Sequence, residues 1–275
     1  MILPTIKKLK DQWVAKRYAT QPTLMNRFVQ GSDIIVNNTV PWTPAKKRLC
    51  DSRVALITSA GVHLKGDIPF NMMDRFGDPT FREVPNEVLP QRLTLTHNYF
   101  DFKDALLDIN LVLPIRPLIC LAREEVIGSV SHRSFSFMGH VTNRHIDILL
   151  RETAPVMVKK LIKDEVDIVF LTPASGLCNQ SIGLVQRVIE RAGIVTISIS
   201  LNRTITLKVK PPRAIYPGFT LGHPMGRPND IEFQCRVIKD ALQKLYTIKE
   251  PGTLLGVDYR LQKSSCTVDR RARSY

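Results

Sequence analysis

One stretch of this chain leaves little choice of architecture. Residues 167–172, Asp-Ile-Val-Phe-Leu-Thr, are a short run of apolar and β-branched side chains, as in a buried strand. Residues 173–178, Pro-Ala-Ser-Gly-Leu-Cys, break it. From Asn179 the period turns helical. Ile182, Val185, Val188 and Ile189 fall three or four apart among Gln186, Arg187, Glu190 and Arg191, and Gly193 stops the helix. Residues 194–200, Ile-Val-Thr-Ile-Ser-Ile-Ser, read as the next strand. Strand, crossover helix and strand in succession make a βαβ unit, which calls for a parallel sheet covered by helices. The expected fold is α/β, an open and mainly parallel sheet flanked by helices in a Rossmann-like, three-layer arrangement. Ligands of such sheets bind beyond the carboxyl ends of the strands. Cys178 stands there, at a helix start whose unpaired N–H groups and dipole favour a thiolate.

The remaining pattern fills in around this unit. Residues 1–50 read as a helical extension of two short amphipathic helices and a linker, with Trp13, Val14, Tyr18, Leu24, Phe28 and Val29 on the buried side. Residues 41–44, Pro-Trp-Thr-Pro, mark an extended connection. Residues 51–255 form the α/β domain and 256–275 a basic tail. Within the domain, 54–58 is a core strand and 59–63 its exit loop. Residues 64–92 read as a long loop, 93–96 as a short strand ending at His97, and 115–125 as a helix. A short strand at 128–130 precedes a loop at 131–139 rich in Ser, Phe and His. Residues 144–163 make a long helix, 207–210 and 214–215 a further strand, and 217–228 a Gly/Pro loop. Asp230 caps the last helix, and the chain after Pro251 reads as irregular.

Length suits one large domain or two small ones. No apolar run is long enough to span a membrane, and the first residues lack the order of a signal peptide, so a cytoplasmic protein is expected. Five cysteines, at 50, 120, 178, 235 and 266, include no CxxC pair and no zinc-finger spacing. Reduced thiols follow, with Cys120 and Cys235 in helical patterns as small core or half-buried residues. The net charge of +14 is dispersed, and no nucleic-acid motif accompanies it. It reads as surface and tail charge, or as a surface for an acidic partner or substrate, rather than as a nucleic-acid site.

Four histidines lie beside turn signals: His63, His97, His140 and His223. A thiolate needs a base or cation near it, and imidazole serves as either. The alternative for each is a loop residue that ties down backbone carbonyls. No two histidines stand at i, i+4 on a helix, so no metal site is assigned. Arg82 lies in the long loop among Asp67, Asp74, Asp78 and Glu83, placed to meet a substrate carboxylate.

Together the loop sequences resemble a known family. Residues 58–65 (Thr-Ser-Ala-Gly-Val-His-Leu-Lys), 77–85 (Gly-Asp-Pro-Thr-Phe-Arg-Glu-Val-Pro), 96–101 (Thr-His-Asn-Tyr-Phe-Asp), 108–110 (Asp-Ile-Asn), 127–130 (Ile-Gly-Ser-Val), 137–140 (Phe-Met-Gly-His) and 221–224 (Leu-Gly-His-Pro) resemble, in order, the selenoprotein B family. That family holds the substrate-handling subunits of glycine, sarcosine and betaine reductases and of D-proline reductase. The resemblance covers residues from about 50 to about 250. It implies an active loop of selenocysteine (or Cys)-x-x-Cys-x-x-Cys, a thiolate or selenolate attack, and reductive C–N cleavage beside a partner subunit carrying a pyruvoyl or similar carbonyl. Here the loop reads Ser175, Cys178, Ser181, so one thiol of three remains. Serine cannot pair with Cys178 as a disulfide, and the two-electron store of a dithiol is lost.

The reading that results is a reductase-like protein acting on a small amino-acid-like compound through Cys178. Ser175, His63, His97 and His140 complete the catalytic group; Thr172, Ser181, His223 and Arg82 bind substrate. No bound cofactor is expected; the resemblance implies an external thiol as reductant, and a metal held by Cys178 with one or two histidines stays open as an alternative. The expected pocket gathers loops 59–65, 97–101, 131–140, 173–181 and 221–226. Partners are a small polar substrate and either a partner subunit or a second copy. The competing reading is a non-catalytic binding or complex-forming subunit that has lost the redox positions Ser175 and Ser181.

Overall fold

The computed structural model describes residues 2–21, 23–24, 27 and 30–259. Its strands are β1 (Arg53–Thr58), β2 (Val62–Leu64), β3 (Phe81–Pro85), β4 (Leu93–Leu95), β5 (Ser129–Val130), β6 (Arg133–Phe137), β7 (Ile168–Thr172), β8 (Val195–Ile199), β9 (Arg213–Tyr216) and β10 (Thr253–Gly256). The helices are α1 (Ile2–Thr20), α2 (Lys103–Leu107), α3 (Ile115–Arg123), α4 (Arg144–Ile148), α5 (Ala154–Lys163), α6 (Cys178–Arg191), α7 (Arg203–Val209) and α8 (Ile231–Thr247). The sheet order is β10-β9-β8-β7-β1-β6-β3, with β5 also beside β1. All these neighbours are parallel except β3, which runs antiparallel to β6 at the edge. β2 and β4 form a separate antiparallel ribbon.

Strand alternation feeds two cores. Val54 and Leu56 of β1, with Ile168 and Phe170 of β7, face a core completed by Leu118 and Leu121 of α3 and Val237, Ile238 and Leu242 of α8. Ala55, Ile57, Val169 and Leu171 face the other side, against Met157 and Leu161 of α5, Val185 and Ile189 of α6, and Ile205 and Val209 of α7. Both faces are thus covered by helices, which is why β1 and β7 read as continuous apolar runs.

The chain leaves β1 for β5 and β6 on one side, and leaves β7 for β8 on the other. The loops after β1 and β7 therefore diverge where the strand order reverses, the place at which open α/β sheets form a crevice. Cys178 opens α6 at that point.

Several elements differ from expectation. The loops expected at 64–92 and 131–139 contain β3 and β6, and the exit loop expected at 59–63 contains most of β2. Ser134 and Ser136 of β6 are buried, so the Ser/Phe alternation lacks the polar-out signal of a half-exposed strand. The run at 207–210 is the end of helix α7, not a strand. Asn202 caps it by accepting from the Ile205 N–H at 3.0 Å, and this cap outweighs the β-branched sequence. Residues 253–256 are ordered as β10. Residues 144–163 are helical throughout, with a π-turn at Leu149–Thr153.

At the amino end Ile2–Thr20 form a helix of 19 residues, α1, and residues 23–24, 27 and 30 are also helical. The second expected helix falls on residues of which only 23–24, 27 and 30 are described. Trp13 faces outward, and the small Ala15 is buried in its place. Val14 and Leu24 are half-buried, while the side chain of Tyr18, and Phe28 and Val29, lie outside the described residues. Residues 31–48 run extended along the body. The Ile35 N–H donates to Gln180 Oε1 at 2.8 Å, and the Thr43 N–H to Glu190 Oε2 at 2.6 Å. The Arg213 guanidinium lies 3.5 Å from the centre of the Trp42 ring and pairs with the Glu190 carboxylate beneath it.

Candidate active site

The Cys178 sulfur has three polar neighbours. The Ser175 hydroxyl donates to Sγ at 3.0 Å, His97 Nε2 lies 3.5 Å away, and the thiol itself points at the Ser59 carbonyl oxygen, 3.4 Å off. These come from the loop after β7, the loop after β4 and the loop after β1. The residue's solvent exposure is 0 %. Gly139 closes the remaining side. A Cβ there would lie 2.6 Å from Ser59 Cβ, 2.7 Å from Cys178 Sγ and 2.8 Å from Ser181 Oγ, so only glycine lets this segment approach. The Ser181 hydroxyl holds it in place by donating to the Gly139 carbonyl at 2.7 Å.

His97 is buried beside the sulfur, and its Nδ1 accepts the Tyr99 backbone N–H at 3.0 Å. In a neutral ring the proton then sits on Nε2, which makes His97 a donor to sulfur. Burial, reinforced by the nearby His140, holds its pKa well below the ordinary histidine range. The ring of His140 stacks on Tyr99, with centroids 3.4 Å apart and planes 10° from parallel. Because His97 is neutral when folded but takes up a proton near pH 6.5 when unfolded, the unfolded state binds more protons in acid. The stability it contributes is full above that pH and is lost as pH falls. The expected loss is about 1.4 kcal/mol per pH unit below about 6.5. Denaturant titrations at pH 7, 6 and 5 read this slope, and His97→Gln is expected to remove one proton's share of it.

The other expected residues are engaged elsewhere. His63 Nδ1 lies 2.7 Å from the Leu64 carbonyl and Nε2 lies 2.8 Å from Thr96 Oγ1, so its ring fastens the β2–β4 ribbon. Arg82 donates to the Ile68 and Phe81 carbonyls, each at 2.9 Å, and lies over the Phe70 ring. The Thr172 hydroxyl donates to the Val112 carbonyl at 2.6 Å. His223 Nε2 meets Asp104 Oδ2 at 2.9 Å. Among the described residues, no three His, Cys, Asp or Glu side chains gather to hold a metal ion.

Comparison with known proteins bears on what this site descends from. Residues 25–174 match the family model described as glycine/sarcosine/betaine reductase selenoprotein B. The chain is 36 % identical over 230 residues to the D-proline reductase subunit gamma of Acetoanaerobium sticklandii, covering 83 % of this chain and 93 % of that one. The chain belongs to the selenoprotein B family. It is 29 % identical over 216 residues to the glycine reductase complex component B subunit gamma of Symbiobacterium thermophilum, covering 76 % of this chain and 49 % of that one. With the sarcosine reductase complex component B subunit beta of Peptoclostridium acidaminophilum it is 31 % identical over 192 residues, covering 69 % and 43 %. The chain thus spans nearly the whole of the D-proline reductase subunit but about half the length of the other two. No solved structure matches.

In this selenoprotein B family member, one residue that sequence reasoning passed over organises the loop that carries Cys178. Asn179 Nδ2 donates to the carbonyls of Ser175 and Gly176, at 3.0 and 3.1 Å. Its Oδ1 accepts the N–H groups of Leu201 and Asn202, at 2.7 and 3.2 Å. Its one signal in the sequence is an amide directly after the cysteine at a helix start. Ser59, Tyr99 and Gly139 were also passed over as site residues, although all three lie in the loop sequences that carry the family resemblance.

A cavity of about 730 Å³ lies at the carboxyl ends of β9 and β10, walled by Tyr216, Phe219, Phe233 and Tyr259 with His223 and Arg227. Only the 221–226 loop, of the five expected to build one pocket, lines it. The other four supply Ser59, His97, Gly139 and Ser175 around the sulfur. The two places adjoin in space, since the Gly222 N–H donates to the Ala174 carbonyl at 2.8 Å. Cys120 and Cys235 are half-buried on α3 and α8, and burial pushes the Cys235 thiol up to about 12. Cys50 is exposed. No described helix is long and apolar enough to cross a membrane.

Proposed function

We propose that this chain is the substrate-handling subunit of a reductase related to the glycine and D-proline reductases, and that Cys178 is its reacting atom. The observation that carries the reading is the pair of donors on the sulfur, Ser175 Oγ and His97 Nε2, at the point where the strand order reverses. Both stabilise negative charge on sulfur as its proton leaves. The substrate is a small activated amine, held with the help of a companion subunit and approached from the His140–Tyr99 side.

The electrons balance with two equivalents of external thiol. Sulfur of Cys178 bonds to the substrate carbon, the C–N bond breaks, and the amine departs with the thiol's proton. An external thiol then attacks Sγ. The S–C bond breaks, the carbon takes that thiol's proton, and Cys178 is left in a mixed disulfide. A second external thiol frees Cys178 and leaves as a disulfide with the first.

The test is dithiothreitol-dependent amine release from glycine, sarcosine, betaine and D-proline by the assembled complex. Cys178→Ala and Cys178→Ser are each expected to lower turnover at least about a thousand-fold. Labelling with iodoacetamide in a Cys50→Ser, Cys266→Ser background reports whether substrate protects Cys178. Complete burial of that thiol favours a second reading, a binding subunit without chemistry of its own. Turnover unchanged in both variants would establish the second reading and end the first.

A further inference from the structure

Helix α1 precedes the residues matched by the family model, which begin at 25. Ile6, Leu9 and Trp13 are 56, 62 and 58 % exposed, and their spacing of three and four sets them in one stripe along the helix. Ala15 is buried, and Asp11 Oδ2 accepts from Asn98 Nδ2 at 3.3 Å, so another face of α1 is seated on the body beside Tyr99. Three large apolar side chains in one outward row are costly to leave in water without an occupant.

Charge decides among the occupants. The helix carries Lys7, Lys8, Lys10, Lys16 and Arg17 against the single carboxylate of Asp11. The Arg17 guanidinium lies 4.7 Å from the centre of the Trp13 ring, so positive charge flanks the stripe itself. Two copies of α1 laid together would set cation against cation, which disfavours self-pairing. An anionic membrane would meet the charge. However, among the described side chains of α1 the exposed large apolar groups form a row of one per turn rather than the broad apolar face an interfacial helix buries. A narrow row with basic edges suits a groove in a protein.

We propose that α1 docks, through Ile6, Leu9 and Trp13, into an apolar groove edged by carboxylates on a companion subunit. This rests on the reading above that the chain works within a complex. The test places a photo-crosslinking amino acid at Trp13 in the full-length protein, produced in its own cells, with the exposed Leu207 as control site. The expected product joins Trp13 to a second protein through a peptide rich in Asp and Glu around apolar residues. Leu9→Asp combined with Trp13→Asp is expected to lower the complexed fraction, read by size exclusion, at least tenfold. Raising salt is expected to weaken the wild-type complex. Crosslinks from Trp13 to the chain itself or to lipid, or co-flotation with phosphatidylglycerol vesicles that the double substitution abolishes, would overturn the proposal. A complex that survives the double substitution would overturn the docking surface and leave the reductase reading standing. Wild-type protein that elutes alone from its own extract would overturn both.

Discussion

Glu190→Ala is expected to remove about 3–5 kcal/mol of stability, because it strands a buried cation. The side chains of Glu190 and Arg213 are both fully enclosed, and the guanidinium's ion-pair partner is that carboxylate. Glu190 Oε1 also accepts the Thr196 N–H and hydroxyl, each at 2.9 Å, and Oε2 accepts the Thr43 N–H. Arg213 donates in turn to the Thr43 carbonyl and covers Trp42. One substitution therefore loosens α6, β8 and the extended segment 31–48 together. For a chain of this length the melting midpoint should fall by about 6–20 °C. Differential scanning calorimetry reads it, and a midpoint within about 2 °C of the parent would show that the pair holds nothing. Glu190→Gln keeps an acceptor and should cost less.

Asn179→Ala is the second large effect, and it falls on the loop that carries Cys178. The amide meets four backbone groups, two on each side, all buried. Alanine leaves the Ser175 carbonyl and the N–H groups of Leu201 and Asn202 without the amide that meets them, while the Gly176 carbonyl keeps the backbone N–H of residue 179. Buried polar groups left in that state cost about 1–3 kcal/mol each before relaxation or water entry. A loss of about 3 kcal/mol or more is expected in urea titrations. The same change frees Ser175 from its anchor and should speed alkylation of Cys178 at least tenfold in native buffer. Asn179→Asp retains the acceptor for Leu201 and Asn202 and loses the donors, so it separates the two halves of the clamp. Unchanged alkylation in the alanine variant would mean that Ser175 is positioned by other contacts.

The sequence was most informative where one periodicity ran unopposed. β7, α6 and β8 stand within a residue or two of expectation because their apolar spacing admits one reading. It was least informative where burial on both faces removed the contrast between apolar and polar positions. β6 alternates Ser with Phe, yet both sets are inside, since Ser134 donates to Asn86 Oδ1 and needs no water. α7 misled through Ile205, Leu207 and Val209, whose alternation mimics a strand until the Asn202 cap is taken into account. At the site, the rule that ligands gather beyond the carboxyl ends of strands brought Cys178, Ser175 and His97 to one place. His63 was grouped with them, but it lies within β2, where its ring is engaged by the Leu64 carbonyl and the Thr96 hydroxyl, while His97, just past β4, reaches the sulfur. Tertiary hydrogen bonding, not spacing, fixes where His63 and Arg82 point.

The middle of the sheet has a consequence for how the molecule comes into being. β1 gains its neighbour β7 only by joining residues such as Thr58 and Thr172, 114 positions apart. Synthesis must pass Thr172 before that seam can close, and such distant pairings form slowly. Until then the sulfur that the finished protein hides so completely stands open to any oxidant in the cell. Its shelter waits on groups from Ser59 to Ser181, and so on the closing of that seam.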